Sequence, residues 1–289
     1  MEYFPLSLKS QKKRQITKVV SIKSKLSKYF ISRALGVSER NLYNNNHKIK
    51  EKDLILKDQI LKVLEFNPSY GHRRIALALH INKKRAQRVM RLFKIKPYKR
   101  MARWTKRRDY GKPPAAYPNL IKGSCPIKPN VFWVGDFTRL IWNNKVVYLA
   151  TYMDLFTREI VGWNISVSHT TEFVMEALLD AIKTYGRPML THTDQGSEYQ
   201  AKDYVSLVQS LGVKVSMSKK ASPWENAYQE SFYDNFKTDL GLEFERFTTV
   251  GEFVEAIHKT IYYYNHQRIH TKLKMSPYQF KRKFLNLTV

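Results

Sequence analysis

Apolar residues recur at helical spacing near the start of the chain. A short apolar pattern over residues 29–35 ends at Gly36, and Ser38 then offers an N-cap for a second helix through Tyr43. A helix, a turn that contains glycine and a second helix follow one another in a helix-turn-helix. Residues 1–50 are therefore predicted to form a basic arm and a first helix-turn-helix.

A second helical pattern extends over residues 51–108. Its first helix is predicted to turn one apolar face inwards, made of Leu54, Ile55, Ile60, Leu61 and Leu64. Further on, Asn82 can cap a helix that runs to about Phe93. Residues 83–108 contain 13 Lys or Arg and no acid, so an external anion is expected to offset their mutual repulsion. The segment is predicted to be a second helix-turn-helix with a recognition helix and a basic trailing arm. A solvated basic face is the alternative.

The pattern changes from helix to strand after a linker. Residues 109–130 hold five prolines and two glycines, which predicts an extended spacer. The elements predicted after it are strands Val131–Leu140, Val146–Met153 and Glu159–Val167, helix Thr170–Tyr185, strand Met189–Thr193, helix Lys202–Leu211, strand Val213–Met217 and a helix from near Pro223 to Leu240. This is the α/β order of the ribonuclease H-like fold, which is expected to occupy residues 131–270. Residues 271–289 are predicted to be a C-terminal tail.

The formal net charge of +27 is concentrated in the first part of the chain. Residues 1–125 carry 32 Lys and Arg against seven Asp and Glu, whereas residues 126–289 carry 19 against 17. A field of this strength attracts polyanions and releases their counterions on binding, which predicts a nucleic-acid partner. Cys125 is the only cysteine, and no segment has the roughly 18 uncharged apolar residues of a membrane span. A cytoplasmic protein that binds no membrane is therefore expected.

Three acids stand where the predicted fold would bring them together. Asp136 lies within an apolar strand, where an unpaired carboxylate would be costly, and Asp194 ends the fourth strand. Glu230 lies on the last predicted helix, with 35 residues between it and Asp194. Three convergent carboxylates repel one another unless divalent cations neutralise them, and Mg²⁺ prefers such oxygen ligands. A hydrogen-bonded structural acid is the alternative for each residue alone, but their order and architecture favour metal ligands.

A series of motifs follows in a fixed order. They are Tyr70-Gly71-x-Arg73-Arg74-Ile75, Trp133-x-x-Asp136-x-Thr138, Asp154-x-x-x-Arg158, His192-x-Asp194-Gln195-Gly196-Ser197-x-Tyr199, Asn226-x-x-x-Glu230-Ser231-Phe232, Lys237 and Tyr264-Asn265-x-x-Arg268-x-His270. With them the chain resembles the DD(35)E transposases of bacterial insertion sequences, whose catalytic core is shared with retroviral integrases. More narrowly, it resembles the second-reading-frame product of the insertion-sequence family numbered three. The resemblance implies a ribonuclease H-like (integrase core) catalytic domain preceded by small all-α helix-turn-helix domains.

The resemblance also implies an activity and the residues that carry it. A DNA transposase of this kind binds element ends, cleaves DNA to give a 3′-OH and catalyses strand transfer by two-metal phosphoryl transfer. Asp136, Asp194 and Glu230 are expected to be the catalytic residues and to hold two Mg²⁺ ions, for which Mn²⁺ can substitute. Together with the basic pattern, the resemblance predicts DNA contacts by Arg73, Arg74, Lys84, Arg85, Arg88, Arg91 and Lys237.

The partners implied by the resemblance are double-stranded DNA, further copies of the chain and an upstream reading frame. The DNA comprises the terminal inverted repeats and a target. At least a dimer is expected, because two ends must be brought together. An upstream-frame protein or a fusion with it is a further possible partner, and the expected location is the bacterial cytoplasm, in association with the nucleoid.

Two other functions stay open on the sequence. One is a regulatory DNA-binding protein with a silent core, against which the intact acid triad counts. The other is a ribonuclease H-type nuclease that acts on RNA–DNA hybrids or junctions, which would have little use for two helix-turn-helix units. Glu198, Glu225 and Asp154 lie near the triad in sequence but are not expected to be ligands.

Overall fold

The computed structural model describes residues 50–99, 117–218, 227–241 and 247–287, together with positions 27, 29, 30, 33 and 36. The chain divides into two compact units, residues 1–54 and 55–289. Apart from those five positions, the predicted first helix-turn-helix lies outside the described residues, as do residues 100–116 of the predicted basic arm and linker. No helix among the described residues is long and apolar enough to cross a membrane.

Three helices lie within residues 50–99, ahead of the linker. They are α1 (Glu51–Phe66), α2 (His72–Ala78) and α3 (Lys83–Leu92). Asn82 accepts a hydrogen bond of 2.8 Å from the amide of Lys84, which confirms the predicted N-cap of α3. Residues 55–99 are called the helical module below. Its apolar core contains Leu56, Ile60, Tyr70, Ile75, Ala86 and Val89.

The apolar face predicted for α1 is wrong at three positions. Leu56 and Ile60 are buried, whereas Leu54, Ile55 and Leu61 are 45%, 56% and 44% exposed. Successive residues of an α-helix are about 100° apart around its axis. A helix that packs through Leu56 and Ile60 therefore turns Ile55 and Leu61 towards solvent.

Five strands form one mixed sheet in the order β3-β2-β1-β4-β5. The strands are β1 (Phe132–Trp142), β2 (Lys145–Asp154), β3 (Ile160–Ser166), β4 (Leu190–Thr193) and β5 (Lys214–Met217). The first three are an antiparallel meander, and β4 and β5 add to the free edge of β1 in parallel. This topology is that of the ribonuclease H-like fold and confirms the predicted strand order.

Helices cover both faces of the sheet. They are α4 (Thr171–Tyr185), α5 (Ser197–Gln200), α6 (Lys202–Ser210), α7 (Ala227–Leu240), α8 (Val250–His266) and α9 (Pro277–Leu287). Side chains alternate between the two faces of a strand, so Ala150 and Tyr152 of β2 pack in a core with α4 and α6. Leu149 and Met153 of the same strand join the second core, which contains α7 and α8.

The helical module is attached to α7, to α8 and to the segment after α8. The Ser69 hydroxyl donates to Asp239 (2.6 Å), and the Tyr263 hydroxyl donates to the side-chain oxygen of Asn67 (2.6 Å). The amide of Ile269 donates to the Tyr70 hydroxyl at 2.7 Å. Residues 55–289 are consequently one compact unit rather than two independent domains.

The predicted C-terminal tail contains helix α9. Lys281 of this helix forms a 2.8 Å ion pair with the buried carboxylate of Glu159, which follows β2. Phe284 packs edge-to-face on Phe156, with their ring centroids 4.8 Å apart. These contacts fix α9 against the segment between β2 and β3.

Candidate active site

The register between two parallel strands brings Asp136 and Asp194 together. Val134 of β1 pairs with His192 of β4. Asp136 lies two residues beyond Val134, and Asp194 lies two residues beyond His192. Neighbouring strands are about 4.8 Å apart, and residues separated by two positions share a face. The two carboxylates therefore leave adjacent strands on the same side at the same level.

A tight turn holds the carboxylate of Asp194. The amide of Gly196 donates to Asp194 Oδ1 at 3.0 Å. A Cβ atom at position 196 would lie 2.9 Å from Glu198 Oε2 and 3.1 Å from Asp194 Oδ1, so glycine leaves room for two carboxylates at this turn. Burial raises the pKa of Asp194, the Gly196 amide opposes this rise, and the charge of Glu198 adds to it.

Helix α7 is docked against β1 and β2 by the residues that flank Glu230. Gln229 is fully buried, and its amide group donates to the carbonyls of Val134 (2.6 Å) and Thr151 (3.2 Å). One turn later, the Tyr233 hydroxyl donates to the carbonyl of Asp136 at 2.6 Å. Thr151 is the β2 partner of Asp136, so these bonds set the first turn of α7, and Glu230 with it, against the Asp136 position.

The charged residues predicted for the site all act on the carboxyl group of Asp136. Burial raises the pKa of Asp136 to about 8, and the negative charges of Asp194 and, more weakly, Glu230 act in the same direction. A hydrogen bond from the Phe137 amide and the positive charge of Lys237 oppose this rise. The predicted triad and Lys237 thus share one electrostatic environment.

The three carboxylates are ligands of the kind that a divalent cation prefers. All three side chains offer carboxylate oxygens, and burial together with the negative charges of Asp194 and Glu230 raises the pKa of Asp136 despite the positive charge of Lys237. In the described part of the chain, no three His, Cys, Asp or Glu side chains form a ready-made metal cluster. Asp136 and Asp194 are fixed by the sheet, and Glu230 lies exposed in the first turn of α7.

The raised pKa of Asp136 predicts how the stability of the metal-free protein depends on pH. The unfolded chain loses this proton near the ordinary value of 3.8, whereas the folded protein keeps it up to about pH 8. Within this window the folded state binds the extra proton, so the free energy of unfolding falls as pH rises, by at most about 1.4 kcal/mol per pH unit. We expect the Tm of the parent, measured in EDTA, to fall progressively further below that of Asp136→Asn as the pH rises from 5 to 8. A constant difference across this range would show that the fold leaves the Asp136 carboxyl unperturbed.

The structure adds a pair of residues that the sequence reasoning passed over. Glu198, expected only to be a bystander, is buried, and its Oε1 lies 2.5 Å from Nδ1 of His169, which precedes α4. His169 in turn stacks on Phe137, the neighbour of Asp136, with ring centroids 5.8 Å apart. The pair therefore braces the segments that follow both aspartates.

Other acids and rings near the triad have structural surroundings. Asp154 is buried and accepts hydrogen bonds from the amides of Asn130, Phe156 and Thr157, as expected for an acid that is not a ligand. His192 is fully buried with Nδ1 2.9 Å from the Ser216 hydroxyl. Glu225 lies outside the described residues.

The residues predicted to contact DNA fall into two groups. Arg73, Lys84, Arg85 and Arg91 are exposed on the helical module, and Arg88 is half-buried. Arg74 instead donates to the carbonyl of Ile269 (3.0 Å) and to the side chain of Asn235 (3.3 Å). Its guanidinium therefore helps to attach the helical module to the catalytic part, and the prediction that it contacts DNA stays untested.

Comparison with known proteins agrees with this geometry. Residues 126–223 and 211–277 match two integrase core domain families. The chain is 35% identical over 241 residues to the transposase for insertion sequence element IS904 of Lactococcus lactis, covering 79% of this chain and 94% of that protein. It is 30% identical over 224 residues to the putative transposase InsK for insertion sequence element IS150 of Escherichia coli, covering 74% and 78% of the two chains.

A solved structure shares the fold. The cryo-EM structure of a simian T-cell lymphotropic virus intasome in complex with PP2A regulatory subunit B56 gamma matches with a TM-score of 0.50 at 19% identity. The match covers 77% of this chain and 74% of that chain. At this identity the likeness concerns the fold alone.

Proposed function

Because this chain belongs to the insertion-sequence transposases with an integrase core domain, and within them is like the family numbered three, we propose that Asp136, Asp194 and Glu230 are its catalytic residues. The protein is a DNA transposase, a polynucleotidyl transferase of the DDE type that acts in DNA integration by strand transfer. The site assignment rests on the convergence of Asp194 and the helix of Glu230 on Asp136. The β1–β4 register aligns Asp194 with it, and Gln229 and Tyr233 dock the helix of Glu230 beside it.

Enzymes of this family use divalent metal, and we assign its ligands to the three carboxylates. Two Mg²⁺ ions, for which Mn²⁺ substitutes, would activate the attacking hydroxyl and stabilise the leaving oxygen of a phosphodiester. The protein itself supplies position. Strands β1 and β4 fix the two aspartates, while α7 presents Glu230 and, seven residues later, Lys237. Lys237 is half-buried beside Asp136 and is placed to hold a phosphate of the donor strand near the cut.

Further contacts to the DNA substrate are proposed outside the carboxylate site. The exposed basic residues of α2 and α3 offer phosphate contacts for the terminal repeats, and Arg73, Lys84, Arg85 and Arg91 are those with open side chains. Each catalytic event joins one element end, so two ends need at least two copies of the chain. An upstream-frame protein or a fusion with it would add further recognition of the ends.

Incubation of the full chain with its own terminal repeats tests the function. Duplexes that carry the repeats flanking its coding region are mixed with the protein and Mg²⁺ or Mn²⁺. We expect a 3′-OH at the element end and products joined to a second DNA, with neither in EDTA. Cleavage of RNA–DNA hybrids in place of DNA joining would support a ribonuclease H-type nuclease instead.

The charge distribution predicts the binding of DNA. We expect affinity for duplex DNA to fall steeply with salt, with a log–log slope of roughly −0.9 per neutralised phosphate. Arg85→Ala, Arg88→Ala and Arg91→Ala combined should weaken binding and make the slope less steep by about one unit per lost contact. Fluorescence anisotropy at several NaCl concentrations measures both quantities. A triple variant with the affinity of the parent would mean that α3 is not the recognition helix.

A further inference from the structure

A basic cavity lies against the helix that carries Glu230. It encloses about 250 Å³, and Tyr228, Ser231 and Asn235 of α7 form one wall. Three other parts of the chain complete it, namely α2, the turn between β2 and β3, and the segment after α8. These parts contribute five basic side chains, Arg74, Arg158, Arg268, His270 and Lys272. No Asp or Glu lines the cavity among the described residues.

Among the described residues, Arg268 is the only one of these basic side chains that forms an ion pair. Arg268 is 2% exposed and forms an ion pair with Asp239, which lies outside the cavity lining. Arg74 uses its guanidinium on a carbonyl and on an amide oxygen, which are neutral partners. In the described ranges no carboxylate forms an ion pair with Arg74, Arg158 or Lys272. Uncompensated like charges around one small volume are costly unless an anion occupies it.

Two buried donors or acceptors in the cavity lack a partner. Nη1 of Arg158 and Nδ1 of His270 are buried, and neither has a hydrogen-bond partner among the described residues. Buried polar atoms are nearly always hydrogen-bonded, so such atoms call for a ligand or an ordered water. Burial, followed by the charges of Arg158 and Arg74, lowers the pKa of His270 to about 4. The imidazole is thus neutral at pH 7 and can donate one N–H to an anion without adding to the local repulsion.

The turn that carries Arg158 holds its guanidinium in place. The amide of Arg158 donates to the carbonyl of Asp154 at 2.8 Å, and the backbone at this position is left-handed, with φ of 65°. The guanidinium lies over the ring of Tyr228, 4.0 Å from its centroid. Arginine stacked in this way keeps its N–H groups free at the edge for a phosphate. The site is therefore built before any ligand arrives.

We propose that this cavity, formed chiefly by Arg158, His270 and Lys272 beside α7, binds a phosphate group of the DNA backbone. This inference rests on the proposed function, since it adds a contact to the DNA that reaches Glu230. Tyr228 and Ser231 line the cavity from the same turn of α7 as Glu230, on another face of the helix, so a phosphate held there would belong to DNA that passes this turn. Arginine and lysine around a small anion site select phosphate by charge and by hydrogen-bond geometry.

Binding measurements on single variants of the full chain test the proposal. Lys272→Ala removes an exposed charge from the rim, and Arg158→Gln removes the stacked one. Each should weaken binding of a duplex severalfold and make the salt slope less steep by about one unit. Lys183→Ala removes an exposed lysine of α4, which does not line the cavity, and should leave both quantities unchanged. The measurements are made in EDTA, so their outcome does not depend on cleavage or strand transfer.

A second measurement separates the backbone of DNA from free anion. Inorganic phosphate should raise the Tm of the parent more than that of Arg158→Gln or Lys272→Ala. If the variants lose this stabilisation yet bind duplex with the parental affinity and slope, the cavity takes free phosphate and the assignment to DNA is overturned. If phosphate stabilises parent and variants alike and DNA binding is unchanged, the cavity is not an anion site.

Discussion

Asp136→Asn, Asp194→Asn and Glu230→Gln are each expected to abolish DNA cleavage and strand transfer together. Metal ions contribute several kcal/mol to the stabilisation of such transition states, and each 1.4 kcal/mol corresponds to a factor of ten. The expected loss is therefore at least about a thousandfold in the rate of joining pre-cut element ends. Duplex affinity should remain, because the basic residues of the helical module are unchanged.

Asp234→Asn is the matched control for the helix. Asp234 is an exposed carboxylate of α7, one turn beyond Glu230, and its loss should leave most of the activity. The Asp136→Asn, Asp194→Asn and Glu230→Gln variants should also have less repulsion between carboxylates in the metal-free protein. Each kcal/mol of repulsion removed raises the Tm by roughly 2–4 °C. Mg²⁺ should then stabilise the parent more than the variants. If Glu230→Gln joins ends at the parental rate while Asp234→Asn does not, the third ligand has been assigned to the wrong turn of α7.

Asp239→Ala is expected to produce the largest loss of stability. The carboxylate is the buried partner of Arg268 and also accepts the hydrogen bond from Ser69. Removal of one member of a buried ion pair leaves an uncompensated charge and costs about 3–5 kcal/mol. For a unit of this size the Tm should fall by roughly 10 °C or more. Thermal unfolding followed by circular dichroism measures the change.

Two further variants separate the contributions to this loss of stability. Ser69→Ala removes only the hydroxyl that joins the helical module to Asp239, and we expect it to lower the free energy of unfolding by about 1 kcal/mol. Asp234→Ala, on the exposed side of the same helix, should change the stability by less than about 0.5 kcal/mol. If Asp239→Ala has the same Tm as Asp234→Ala, then the Arg268 guanidinium gains no stabilisation from Asp239.

The elements of the catalytic part could be predicted from sequence because their signals are local. Alternation of apolar residues located the strands, and the order of strands and helices defined the sheet. The acids could be proposed as ligands because Asp136 lies mid-strand and Asp194 lies at a strand end, positions that the register then aligns. The helix predicted from near Pro223 to Leu240 corresponds to α7, which the structure describes from Ala227.

The remaining features depend on contacts between distant residues, which no local pattern records. Gln229 appears as an ordinary polar residue of a helix, yet it is fully buried because two strand carbonyls need its amide. Arg74 belongs to a basic motif, but its partners lie about two hundred residues away at Ile269 and on α7 at Asn235. The inward face of α1 was misjudged for the same reason, since both sides of that helix carry apolar residues.

The attachment of the helical module to α7 limits how transposases of this kind can exchange their recognition parts. A module joined by a free linker could be replaced as a cassette. Here Asn67, Ser69 and Tyr70 fit against Tyr263, Asp239 and Ile269. A chimaera that takes residues 55–99 from a relative must bring compatible partners on α7 and α8. Changes in these two regions should therefore occur together among homologues.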